Sequence, residues 1–261
     1  MNYEVIADLV PQTTLFIHGN LASNRWWHPS VDRLRAKYPS QLNHRGKVIL
    51  AEFRGCGESS VPQTENEISM EIFAADFISL IKSQNWGCIN LVGHSTGGLI
   101  VAYMLAKAPE LFNQAVLLDP VGANGISTFN SMLKNIFLRM KDNRPLVSVV
   151  MSATIYQSQE QNDFFQSVIV EDAFTSVKNV GHWVLQALSN LDSKAIYQSI
   201  SHRVLVLHGE FDELIPIDDS KEVARLISKA EIQIIPRRGH CANVEDPELF
   251  IKIMTEFLFN S

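Results

Sequence analysis

Cys88-Ile89-Asn90-Leu91-Val92-Gly93-His94-Ser95-Thr96-Gly97-Gly98-Leu99 is the stretch whose reading decides the fold. A short apolar run, which reads as a buried strand, stops at a serine flanked by glycines. An apolar helical pattern from Ile100 to Ala108 begins directly behind it. G-x-S-x-G between a strand and a helix marks a sharp turn that carries a candidate nucleophile. Side chains at Gly93 and Gly97 would collide across such a turn, and its strained backbone lifts the Ser95 hydroxyl outward. The helix starts at the turn, so the Thr96 N–H lacks an intrahelical partner and is a candidate donor to a developing oxyanion.

Working outward, each neighbouring stretch repeats one rhythm: an apolar run, then polar residues, then helix. Upstream, a short strand is expected near Tyr3 to Ala7, and Thr13 to Ile17 reads as a buried strand that runs into His18-Gly19-Asn20-Leu21. A glycine there lets the chain fold back, so the amides near Asn20 and Leu21 are candidates for a second oxyanion donor. Trp26-Trp27-His28 reads as half core and half pocket wall. Lys47 to Phe53 predicts a strand, and the glycine-punctuated Arg54-Gly55-Cys56-Gly57-Glu58-Ser59 predicts a structural turn. Ile68 to Lys82 has the apolar spacing of a helix lying on a sheet.

Downstream, Gln114 to Leu118 is another buried strand and ends at Asp119-Pro120. The alternation then breaks. From Val121 to Ser199 helical patterns appear around Phe129 to Met140, Pro145 to Ile155, Asp163 to Ala173 and His182 to Leu191, without a strand. Phe137, Phe164, Phe165, Phe174 and Trp183 are the apolar residues of this insertion that offer themselves to a pocket, although most residues at helical spacing serve a core. The sheet resumes with Arg203 to Gly209, followed by Asp212, a helix over Ser220 to Lys229, and the strand Glu231 to Ile235, followed by His240. Pro247 to Phe259 predicts a closing amphipathic helix.

Bulk properties agree with one sizeable domain: 261 residues, 46% hydrophobic and 19% charged. A formal net charge of -6 argues against a nucleic-acid surface. No apolar run approaches a membrane span and Met1 to Ile6 has no leader character, so a cytoplasmic protein with no membrane partner is the expectation. Cys56, Cys88 and Cys241 are an odd, scattered set, which suits reduced, packed thiols.

Buried strands alternating with helices predict an α/β fold with a mostly parallel central sheet and helices on both faces. In such sheets functional groups gather beyond the carboxyl ends of the strands, where Asn20, Ser95, Asp119, Asp212 and His240 all fall. Serine needs a base near its operating pKa, and His240 is the choice. His94 lies inside the turn, while His18 and His208 each precede a glycine at a strand end. A carboxylate must orient the imidazole. Asp212 fits the expected chain order of Ser, Asp, His, and Asp119 is an alternative acid. Acyl transfer by such a set requires neither a cofactor nor a metal ion.

These residues resemble the α/β-hydrolase family over nearly the whole chain. The likeness rests on His18-Gly19-Asn20, Glu52-x-Arg54-Gly55-x-Gly57-x-Ser59, Gly93 to Gly98, Leu207-His208-Gly209-Glu210-x-Asp212 and Gly239-His240 with Glu245-Asp246-Pro247-Glu248-x-Phe250. It implies Ser95 as nucleophile, His240 as base, Asp212 as acid and the Asn20 and Thr96 amides as oxyanion hole. It implies a core of residues 1–120 and 200–261 with a helical cap at 121–199. Glu52 stands where the family often has Asp, and the short segment before His18 leaves room for reduced initial strands. The His18-Gly19-Asn20 loop is also similar to that of haloalkane dehalogenases, but those attack with aspartate, so Ser95 favours an acyl-enzyme on a small-molecule carboxylic ester. Meta-cleavage carbon–carbon hydrolases are similar, though many carry Trp after the histidine where this chain has Cys241. Lactonase, thioesterase and perhydrolase activities use the same machinery. A small-molecule receptor that keeps the triad is the reading from another class.

Overall fold

A computed structural model of the chain describes residues 1–38, 45–126, 130–158, 161–189 and 191–260. Its strands are β1 (Tyr3–Val10), β2 (Thr14–Ile17), β3 (Gly46–Ala51), β4 (Ile89–His94), β5 (Phe112–Leu118), β6 (Arg203–Gly209) and β7 (Ala230–Ile235). They form one sheet in the order β1-β3-β2-β4-β5-β6-β7. β1 runs antiparallel to β3, and every other neighbouring pair is parallel. One strand, the antiparallel edge strand β1, precedes β2. β1 is longer than the Tyr3 to Ala7 stretch anticipated, and pairs with β3 up to Val10 opposite Gly46.

Helices follow in chain order: α1 (His28–Lys37), α2 (Met70–Gln84), α3 (Thr96–Lys107), α4 (Ser131–Met140), α5 (Arg144–Ser152), α6 (Glu171–Asn179), α7 (Trp183–Leu188), α8 (Lys194–Ser199), α9 (Ile217–Leu226), α10 (Ala242–Glu245) and α11 (Pro247–Phe259). Of the helix expected around Phe129 to Met140, Phe129 lies outside the described residues. The pattern read as one helix over Asp163 to Ala173 is a π-helical stretch, Phe165–Val170, that runs into α6. Caps explain several boundaries. The Ser69 hydroxyl accepts from Ile72 N and starts α2, and Asp246 accepts from Leu249 N and starts α11.

The period-two alternation of strand side chains divides the interior into two cores. Leu15, Ile17, Ile49, Ala51, Leu91, Leu117 and Val206 face one way, against Phe73 and Phe77 of α2 and Ile100 to Met104 of α3. Phe16, Val48, Leu50, Val92, Val116 and Leu207 face the other, against Val31 and Leu34 of α1 and Phe250 and Met254 of α11. Fully burying each Val, Leu, Ile, Phe or Met side chain among them contributes roughly 1.5–3 kcal/mol. Helices α4 to α8 join the first core, α8 packing against α3 and α9. Tyr197 donates to the Val121 carbonyl at 2.8 Å, and Tyr103 pairs with Ser193 at 3.0 Å. The buried Asp172 of α6 bonds Ser23 at 2.5 Å and pairs with Arg25, in the loop after β2. No helix among the described residues is long and apolar enough to cross a membrane.

Candidate active site

Ser95 occupies the junction of β4 and α3 with φ 54° and ψ -118°, a conformation that L side chains rarely adopt. Its N–H donates to the Leu118 carbonyl at 2.9 Å, and its carbonyl accepts from Gly98 N at 2.9 Å, so the turn is held from both sides. A Cβ at Gly93 would run into the Gly97 carbonyl, and one at Gly97 into the Ile17 carbonyl. Both glycines are required by close backbone approach, as the motif predicts. Ser95's own N–H is spent on Leu118, which leaves Thr96 N, at the first turn of α3, directed to no protein acceptor among the described residues.

The loop after β2 brings Asn20 to the same place. A Cβ at Gly19 would lie 3.2 Å from Ser95 Cβ. The Leu21 N–H donates to Asn20 Oδ1 at 3.0 Å, and Leu21 takes φ 62°. Of the two amides expected in this loop, Leu21's is therefore committed, and Asn20's has no protein acceptor among the described residues.

Histidines separate by what their nitrogens do. His240, after β7, is 6% exposed, and its Nδ1 lies 2.8 Å from Asp212 Oδ2. Asp212 Oδ1 accepts from Leu214 N at 2.8 Å and Ile215 N at 3.1 Å. Burial pushes the Asp212 carboxyl up, but the His240 hydrogen bond and charge and the two amides outweigh it and hold the carboxyl below its usual range. His94 Nε2 lies 2.8 Å from the His240 carbonyl, which only accepts, so this nitrogen carries the proton. Burial lowers the His94 pKa to about 3. His18 Nδ1 donates to the Gly19 carbonyl at 2.8 Å, its ring stacks on Phe53, and burial lowers its pKa to about 4. Burial also lowers His208, whose Nδ1 is 2.9 Å from Ser220 Oγ and 3.3 Å from Asp119 Oδ1.

The structure thus brings His240 to Asp212 and gives Asp119 other partners. Asp119 has no exposed surface, φ 44°, and an Oδ1 that accepts from Gly209 N at 2.8 Å. Two sets of side chains, His94 with Asp119 and His240, and Asp119 with His208 and Asp212, bring their polar atoms within 4.8 Å of one another. Such sets can ligate a metal, but here His94, His208 and His240 each spend a ring nitrogen on a protein partner.

Ser95, His240, Asn20 and Thr96 line one cavity of about 190 Å³. The rest of its wall is mostly apolar, including Trp26, Leu133, Phe137, Met151 and Leu185, and contains no Asp, Glu, Lys or Arg among the described residues. Phe137 is the one of the five offered insertion residues that reaches this cavity. Phe164 and Phe165 line a separate one beside Tyr156. Sequence reasoning missed Glu245 as a clamp. Its carboxylate accepts from Gly239 N at 2.7 Å, Cys241 N at 3.2 Å and Tyr156 N at 3.0 Å, binding both flanks of His240 to the inserted helices. Its place five residues after His240 was the available signal.

A single sheet covered by helices on both faces thus gathers a serine turn, an aspartate-held histidine and two unspent amides at its strand ends, an arrangement able to support nucleophilic chemistry. The alpha/beta hydrolase fold family model matches residues 14–247, and the chain belongs to that family. A 2-hydroxy-6-oxo-2,4-heptadienoate hydrolase of Pseudomonas putida is 24% identical over 237 residues, spanning 86% of this chain and 82% of its own length. An esterase from Exiguobacterium antarcticum matches in structure with a TM-score of 0.81 at 18% identity, covering 98% of this chain and 94% of that one. A meta-cleavage product hydrolase from Pseudomonas fluorescens IP01 matches with a TM-score of 0.80 at 18% identity, covering 99% and 93%.

Proposed function

We propose that the chain is a serine hydrolase of carboxylic esters with small or medium neutral acyl groups, acting through an acyl-enzyme on Ser95, with residues 121–199 as its cap. One observation carries this reading. Ser95 and the Asp212-held imidazole of His240 open on one cavity whose wall bears no charged side chain. As Ser95 Oγ attacks the ester carbonyl, His240 Nε2 takes its proton. The developing oxyanion receives the Asn20 and Thr96 N–H groups, assisted by the positive end of α3. His240 returns the proton to the departing alcohol, and the cycle repeats with water to free the acid. Asp212 stays ionised throughout and stabilises the imidazolium.

The cavity also weighs against the reaction that the Pseudomonas putida relative's name describes. That substrate is a carboxylate by name, and leaving water for a wall without a cation costs an anion several kcal/mol. A neutral acyl chain pays no such cost and gains from apolar contact. Hydrolysis of p-nitrophenyl acetate and butyrate tests the proposal. Multiple turnovers by the wild type, reduced by about a thousandfold or more in Ser95→Ala, are expected. Stoichiometric or absent release from the wild type would favour a receptor, and undiminished turnover by Ser95→Ala would overturn the nucleophile.

A further inference from the structure

Asp119 is a buried carboxylic acid that the acyl-transfer steps leave unused, although four strand ends converge on it. It follows β5. Its Oδ1 accepts from Gly209 N at the end of β6, and its N–H donates to the Leu207 carbonyl at 2.8 Å. Its Oδ2 is buried with no hydrogen-bond partner. Within 4.8 Å stand polar atoms of Asp212 and His208 on one side, and of His94 and His240 on the other.

The lone pairs of Asp212 can be counted. Oδ1 accepts two amides and Oδ2 accepts His240 Nδ1, so one of roughly four acceptor sites remains open. Nothing in the protein supplies a donor to it among the described residues. Asp119 brings a carboxylate oxygen within 4.8 Å of one of Asp212, and its Oδ2 is the atom left without a partner. Two ionised carboxylates buried this close repel strongly, and the inexpensive arrangement puts a proton on one of them. Asp212 already has three donors, so the proton belongs to Asp119. We propose that Asp119 is a positioning residue: a neutral carboxyl that donates from Oδ2 to the Asp212 carboxylate and thereby sets how strongly Asp212 holds the His240 imidazole.

Burial, followed by the neighbouring Asp212 charge, pushes Asp119 well above the usual carboxylate range, in agreement with that geometry. The other groups facing it do not undo this. His94 and His208 are both driven toward neutrality by burial, while Glu245, which acts at longer range, adds to the upward shift. The inference rests on reading Ser95, His240 and Asp212 as the machinery, but its test is chosen to need no substrate.

The experiment is an NMR titration of the His240 ring in the intact chain, for the wild type, Asp119→Asn and Asp119→Ala. Asparagine keeps an acceptor for Gly209 N and a donor for Asp212 without a charge, so its midpoint should coincide with the wild type. Alanine removes the donor, leaves Asp212 more basic, and should raise the midpoint by about one pH unit. If Asp119 instead carries a charge, both variants lose an anion beside the imidazolium and both midpoints fall, which overturns the proposal. Coincidence of all three overturns it too. Should Asp119→Ala fail to fold, the infrared carbonyl band of a protonated carboxylic acid at neutral pH decides. It is expected in the wild type and absent from Asp119→Asn, and a wild type without it contradicts the inference. Failure of ester turnover with these results intact would fault the proposed reaction and leave the carboxyl pair standing.

Discussion

Ser95 sits where backbone strain costs roughly 1–3 kcal/mol, a strain that the proposed reaction uses to hold the hydroxyl on the outside of the turn. Ser95→Gly should relieve that strain and raise the melting temperature by about 2–4 °C while removing the proposed nucleophile, a change that calorimetry reads directly. Asp212→Asn keeps the shape of the acid but holds His240 in the wrong tautomer, so kcat should fall by about a thousand- to ten-thousandfold. Asp119 and Asp212 also give stability opposite pH dependences. The Asp119 carboxyl is raised in the folded state, so the native protein binds a proton that the unfolded chain releases. Its stabilising effect is complete below the ordinary carboxylate pKa of about 3.9 and fades as pH rises from there toward the raised folded value. Asp212, held low, acts in the reverse direction, and its contribution is lost as pH falls through its depressed pKa. Asparagine does not titrate, so the stability of Asp119→Asn relative to wild type should increase between pH 5 and 8, measured by urea midpoints. A difference that shrinks with pH would contradict the assignment.

Among the elements, the strands were the most legible. Parallel strands covered on both faces appear as largely apolar runs, supplied here by Leu15 to Ile17 in β2, Leu91 and Val92 in β4 and Val204 to Leu207 in β6. α1 was not legible, because only Val31 and Leu34 of its ten residues are apolar and buried, and Trp26 and Trp27 just before it drew attention to packing instead. α8 is too short at six residues to show a period. The element that matters most to the site is α10, a single turn whose Glu245 clamps the His240 loop. Glu245→Ala leaves three buried-side N–H groups without their acceptor and should lower kcat about tenfold and the melting temperature by several degrees, since each orphaned donor costs about 1–3 kcal/mol. A change in KM alone, with kcat preserved, would mean that the clamp does not position His240.

At the scale of the molecule, strand order placed every proposed site residue at one edge, and that much could be read from chain order alone. Two things could not. The choice between Asp119 and Asp212 was open because both follow an apolar strand, and only the fold brings Asp212 Oδ2 to His240 Nδ1. The cavity wall was hidden because residues at helical spacing in α4 to α7 serve core and cavity alike: Phe137 lines the space over Ser95 while Phe165 lines another. Phe137→Ala should accordingly lengthen the preferred acyl chain in a p-nitrophenyl ester series, and an unchanged preference would place the acyl group elsewhere. The most direct measurement is mass spectrometry of the protein quenched during turnover of p-nitrophenyl butyrate, followed by peptide mapping. The account predicts a butyryl adduct on the peptide holding Ser95, absent from Ser95→Ala. An adduct on another residue, or turnover with no adduct on Ser95 and undiminished in the variant, would contradict it.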